Sequence, residues 1–124
     1  MIQHFTIPGQ LPGYNQLNGG RHWAIRRDIK QRAMGTVSLY ARRAHLKQIT
    51  SPVMISIICY EPNRRRDEDN VIAGAYKVIL DALQQEHLLP NDSRRWVKMG
   101  TVRVETDKDC PRIEVEIRTK EEKA

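Results

Sequence analysis

The stretch SPVMISIICY (51–60) sets the first limit on the fold. It is apolar and rich in β-branched residues, with Ser-Pro at one end and Glu-Pro-Asn beyond the other, so it reads as a strand that something must cover. Its apolar residues do not alternate cleanly, which predicts burial on both faces. The chain around it supplies the cover. Ile25, Ile29, Ala33, Val37, Tyr40/Ala41 and Ala44 recur at helical spacing and predict an amphipathic helix from about Trp23 to Gln48, with Gly35 and Thr36 weakening its middle. A second helix is expected from about Asn70 to Glu86, with Val71, Ala75, Val78, Ile79, Ala82 and Leu83 on its apolar side.

HFTIP (4–8) reads as a short opening strand, and PGQLPGYNQLNGG (8–20) as turns and loop. Residues 95–105 and 112–118 read as two strands separated by the turn TDKDCP, and the tail TKEEKA is expected to fray. The order β-α-β-α-β-β predicts an α+β fold. It is one domain over residues 1–124, a mixed sheet with two main helices packed against it.

Charge is distributed unevenly. Residues 21–66 hold eleven Lys and Arg against Asp28 and Glu61, whereas residues 67–92 hold six acids against Lys77 alone, within a chain of net charge +6. A basic surface attracts phosphate backbones. An acidic island inside it repels them unless a bound cation reverses its sign. Cys59 and Cys110 are far apart and read as ordinary thiols, and the four histidines are scattered, so no His/Cys metal site is expected. No apolar run approaches a membrane span, and the start MIQHFTIPGQ lacks the marks of a signal peptide, which predicts a cytoplasmic location.

The acidic island begins with Asp67-Glu68-Asp69-Asn70, directly after Arg64-Arg65-Arg66. One of the aspartates can cap the second helix. Capping does not account for three adjacent acids, which repel one another unless a cation lies between them, and Mg²⁺ is the natural occupant. Asp92 is the candidate third carboxylate. The helix is about 24 Å long, so Asp92 reaches the others only if the following loop folds back or the helix is short or bent. Asn70, Gly74, Lys77 and Asp81 fall on one stripe of that helix, expected to be solvated, with Lys77 and Asp81 spaced to pair.

The run RRRDEDN, Lys77 followed by LDAL (80–83), and Asp92 eleven residues beyond Asp81 together resemble the RusA family of Holliday junction resolvases. The opening IPG and the loop with Leu11, Pro12 and Asn15 fit the same pattern. The chain departs from it in a longer Asn70-to-Lys77 spacing, in Asn91-Asp92 where an Asp pair is common, and in lacking a glycine before that point. The resemblance implies a homodimer that binds four-way DNA junctions and nicks two strands symmetrically with Mg²⁺, or Mn²⁺ in its place. It implies that Asp67, Asp69 and Asp92 are metal ligands, that Lys77 stabilises charge on the phosphate, and that Asn70 supports the site. Arg64, Arg65, Arg66, Asn15 and Arg21 are the expected DNA contacts, and Glu68 is a bystander.

Two other readings stay open: a non-catalytic nucleic-acid-binding protein, and a metal-dependent nuclease acting on another substrate. Tyr14, Trp23 and Trp96 are expected in the core or at a dimer contact, with stacking on unpaired bases as the alternative.

Overall fold

A computed structural model describes residues 1–19 and 22–119, so the expectations for Arg21 and for most of the TKEEKA tail lie outside the described residues. The strands are β1 (Ile2–Pro8), β2 (Val53–Glu61), β3 (Val97–Thr106) and β4 (Arg112–Thr119). The helices are α1 (Tyr14–Asn18), α2 (Trp23–Arg43) and α3 (Glu68–Gln85). Together they make one α+β domain with a mixed sheet. The element missed by the sequence is α1, which forms within the stretch expected to be all loop. Gln16 accepts a 2.9 Å hydrogen bond from the Gly13 N–H, and Leu17 supplies a buried anchor.

The sheet order is β1-β4-β2-β3. β2 and β3 are parallel, and the chain between them crosses over through α3, the long connection a parallel pair requires. β4 is antiparallel to both β1 and β2. Although only a short turn separates β3 from β4, they do not pair, because β2 lies between them. The chain crosses the end of β2 there, and Asp107 N–H donates to the Glu61 carbonyl at 2.8 Å.

Phe5, Ile7, Ile113, Val115, Ile117 and the odd-numbered residues of β2 face one core with the helices. The expectation of burial on both faces of β2 is therefore corrected. Val53, Ile55, Ile57, Cys59 and Glu61 are buried, while Met54, Ser56, Ile58 and Tyr60 on the opposite face are half-buried. That face bears the ion pairs Arg112–Glu114 and Arg118–Glu116 on β4, so it is not an apolar layer.

Two helical expectations also change. α2 stops at Arg43 and runs unbroken through Gly35 and Thr36, and its buried side is Ala33, Met34, Val37, Ser38 and Ala41. Its first turn overhangs the core, leaving Trp23 and Ile25 exposed, and Ile29 is the first of its apolar residues to pack against it. The stripe on α3 is largely covered, with Lys77 alone exposed. Gly74 is buried beneath Pro12 and Gly13, and Asn70 accepts a 2.8 Å hydrogen bond from the Asn15 N–H. Asp81 pairs with Lys30 of α2 at 2.7 Å. Among the described residues, no helix is long and apolar enough to cross a membrane.

Candidate functional site

The entrance to α3 is fixed by a buried charge. Glu61 is the last residue of β2, and its inward position leaves it 3 % exposed. A carboxylate there must be paired and hydrogen-bonded. Arg66 meets it in a bidentate pair, Nε to Oε1 and Nη2 to Oε2, both at 2.8 Å, and Gln10 donates a third bond at 2.9 Å. Arg66 Nη1 also donates to the Leu11 carbonyl at 2.9 Å. The network ties β2, the loop before α3 and the loop before α1 together. Arg66, expected at the DNA, thus has its guanidinium turned inward, while those of Arg64 and Arg65 are exposed.

Asp67 stands at the N-cap of α3 with extended backbone, yet its side chain makes no cap hydrogen bond. Asp69 Oδ1 accepts from the Asn70 N–H at 3.0 Å. Capping therefore occupies one oxygen of Asp69 and neither oxygen of Asp67. Asn70, expected to support the site, accepts the Asn15 N–H and so docks α1 on α3. Beside Asp67 and Glu68, a groove of about 620 Å³ opens between Arg64 and the last residues of β3, Val104 to Thr106. It lies at the carboxyl ends of the two parallel strands, where ligands commonly bind in open α/β sheets.

At about 100° per residue, Asp69, Ala73 and Tyr76 share one sector of about 60° on α3, and Lys77 lies about 40° beyond it. Asp92 lies near this flank. The Tyr76 phenol is held above its ordinary pKa, first by burial of the ring and then by the negative charge of Asp92. The loop after α3 has thus folded back without any shortening of the helix. Tyr76 is nevertheless two turns from Asp69, about 10 Å along the axis. Among the described residues no three His, Cys, Asp or Glu side chains are grouped to hold a metal ion. The site has two parts, Asp67 with Asp69 at the helix entrance and Asp92 apart from them, within electrostatic reach of Tyr76.

Lys77 is half exposed and sits 3.5 Å from Asp81, whose other oxygen is held by Lys30 at 2.7 Å. Because Lys30 already balances Asp81, the Lys77 ammonium is only loosely engaged. The acids show a sharper contrast. Among the described residues Asp28, Glu61, Asp81, Glu86, Glu105, Asp107, Glu114 and Glu116 are in ion pairs. Asp67, Glu68, Asp69 and Asp92 are not, and neither is Asp109, in spite of the arginines beside them in the chain.

Tyr14 and Trp23, expected to be buried or at a dimer contact, are 49 % and 58 % exposed, and Trp96 is half-buried. The Arg27 guanidinium lies 5.2 Å from the Trp23 ring centre. The Glu61–Arg66 network was the feature missed from sequence. Period-two counting along β2 places Glu61 on the side of Ile55 and Ile57, and a buried carboxylate there calls for one of the three arginines that follow. No protein-family model matches the chain, and no curated protein matches it.

Proposed function

We propose that this protein is a metal-dependent endonuclease acting on four-way DNA junctions as a homodimer. One observation carries the reading. Among the described residues, Asp67, Glu68, Asp69 and Asp92 make no ion pair, a state shared elsewhere by Asp109 alone, and Asp67 and Glu68 line a groove that also presents Arg64. Asp67, Glu68 and Asp69 are consecutive, and adjacent unpaired carboxylates are stabilised by a cation, with phosphate completing the coordination of a hard one.

The donor set suits Mg²⁺ or Mn²⁺. Its ligands are carboxylate oxygens, and Mg²⁺ takes one or two protein carboxylates plus water and substrate phosphate. Asp67 and Asp69 would hold the ion, and Asp92 is the third proposed ligand. Once bound, the ion supplies polarisation of the phosphodiester and a lowered pKa for an attacking water. Lys77, free to leave Asp81 to Lys30, turns its ammonium to the phosphate as negative charge develops. Arg64 and Arg65 contact the backbone. Arg66 organises the entrance through Glu61, and Asn15 and Asn70 hold α1 against α3. Two equivalent sites in a dimer match two equivalent strands of a junction.

Purified protein with Mg²⁺ should nick a synthetic four-way junction at paired symmetric positions. The Asp69→Asn variant should bind the junction without cutting it. Absence of cleavage with both Mg²⁺ and Mn²⁺ would leave a non-catalytic binder, the reading favoured by the separation of Asp92 from the other acids. Equal cutting of linear duplex would remove only the junction preference.

A further inference from the structure

The unpaired cations are as localised as the unpaired acids. Most Lys and Arg side chains among the described residues have an acidic, carbonyl or ring partner. Of those without one, Arg64 and Arg65 precede Asp67, and Arg94, Arg95 and Lys98 follow Asp92, leaving Lys47 beside β1 and Lys108 two residues beyond the end of β3. None of the five is drawn into an ion pair by the acids beside it. In the turn after Asp92, the Ser93 N–H donates to Asn91 Oδ1 and the Ser93 carbonyl accepts from Trp96 and Val97, and Arg94 and Arg95 are left exposed.

The two basic groups lie at opposite ends of one edge strand. Arg94 and Lys98 line an open groove of about 330 Å³ with Val97 and Met99, at the start of β3. Arg64 lines the other groove with Val104 to Thr106, at its end. Between them Arg103 is paired with Glu105, so the middle of the strand offers no free cation. Lys98 and Glu105 are seven residues apart, about 23 Å at strand rise. One DNA strand advances about 3.4 Å per nucleotide, so this span corresponds to about seven nucleotides. Such a span suits a straight duplex arm, and no single phosphate could bridge it. Asp67 and Glu68, at the entrance to α3, line the groove at the end of this edge.

We propose that Arg94, Arg95 and Lys98 form a second phosphate-binding surface, which with Arg64 and Arg65 holds a DNA duplex along the β3 edge. This rests on the reading that the protein binds DNA, but it needs no cleavage. The competing explanation is five separately solvated side chains. Counterion release separates the two, because each cation withdrawn from a phosphate lowers the slope of log K against log salt by about 0.9.

The experiment is fluorescence anisotropy in a chelator across a salt series, with a labelled four-way junction, a 10-base-pair hairpin and a 5-base-pair hairpin. Arg94→Ala/Lys98→Ala should lower the slope by about two and weaken binding of the junction and the longer hairpin alike. Lys47→Ala, beside β1 at the opposite edge, should leave the slope unchanged. With the 5-base-pair hairpin the wild type should fall to the double variant's slope, since a short duplex reaches one end only. An unchanged slope in the double variant, or an equal fall in Lys47→Ala, overturns the proposal while leaving the nuclease reading intact. A wild type that binds no DNA overturns both. Circular dichroism confirms that the variants, altered only at exposed positions, are folded.

Discussion

Glu61 ends a strand whose other inward residues are Val53, Ile55, Ile57 and Cys59, so its carboxylate is enclosed wherever that strand is covered. Two Arg66 bonds and one from Gln10 make it tolerable there. Its negative charge also helps, with burial as the larger cause, to push the Cys59 thiol up to about 12, so Cys59 is inert, in line with its reading as an ordinary thiol. Glu61→Gln keeps the shape but leaves the largely enclosed Arg66 guanidinium without a counter-charge. Losing one partner of such a pair costs about 3 kcal/mol. The expected result is a lower urea midpoint with an unchanged slope. A loss below about 1 kcal/mol would mean that solvent replaces the carboxylate and the network does not set the α3 entrance.

At the scale of elements, α3 serves three neighbours at once. Its apolar side packs on the sheet, its Asn70–Asp81 stripe receives the α1 loop and α2, and its Asp69–Tyr76 flank is left for the proposed site. Gly74 makes the second contact possible, because a Cβ there would strike Pro12 O and the Gly13 backbone. Ala favours helix over Gly by about 1 kcal/mol. Gly74→Ala should nonetheless destabilise by about 1–3 kcal/mol, since the clash is with backbone. Gly35 in α2 is the control: nothing lies within 4 Å of its added Cβ, so Gly35→Ala should stabilise by about 0.5–1 kcal/mol. Thermal or urea unfolding of the pair should show shifts of opposite sign. Shifts of the same sign would mean that the loop yields.

Over the whole molecule, a basic protein encloses an acidic site, and this has a consequence that can be measured without catalysis. With divalent ions chelated, Asp67 and Asp69 repel the phosphates that the surrounding basic surface attracts. Asp67→Asn/Asp69→Asn should therefore bind junction DNA several-fold more tightly than the wild type in chelator, and added Mg²⁺ should narrow the difference. Tighter binding by the wild type in chelator would place DNA away from these acids. The sequence by itself determined the strands, both long helices and the charge island, because side-chain periodicity and charge are local properties that survive any packing. It also showed Lys77 spaced to pair with Asp81, as the structure finds. Tertiary structure alone decided that β2 separates β3 from β4, that Arg66 turns inward and that Asn70 docks α1. It also decided that Asp92 does not join Asp67 and Asp69 in one group of ligands. Each of these depends on which distant backbone a side chain meets, and a linear pattern contains no such distance.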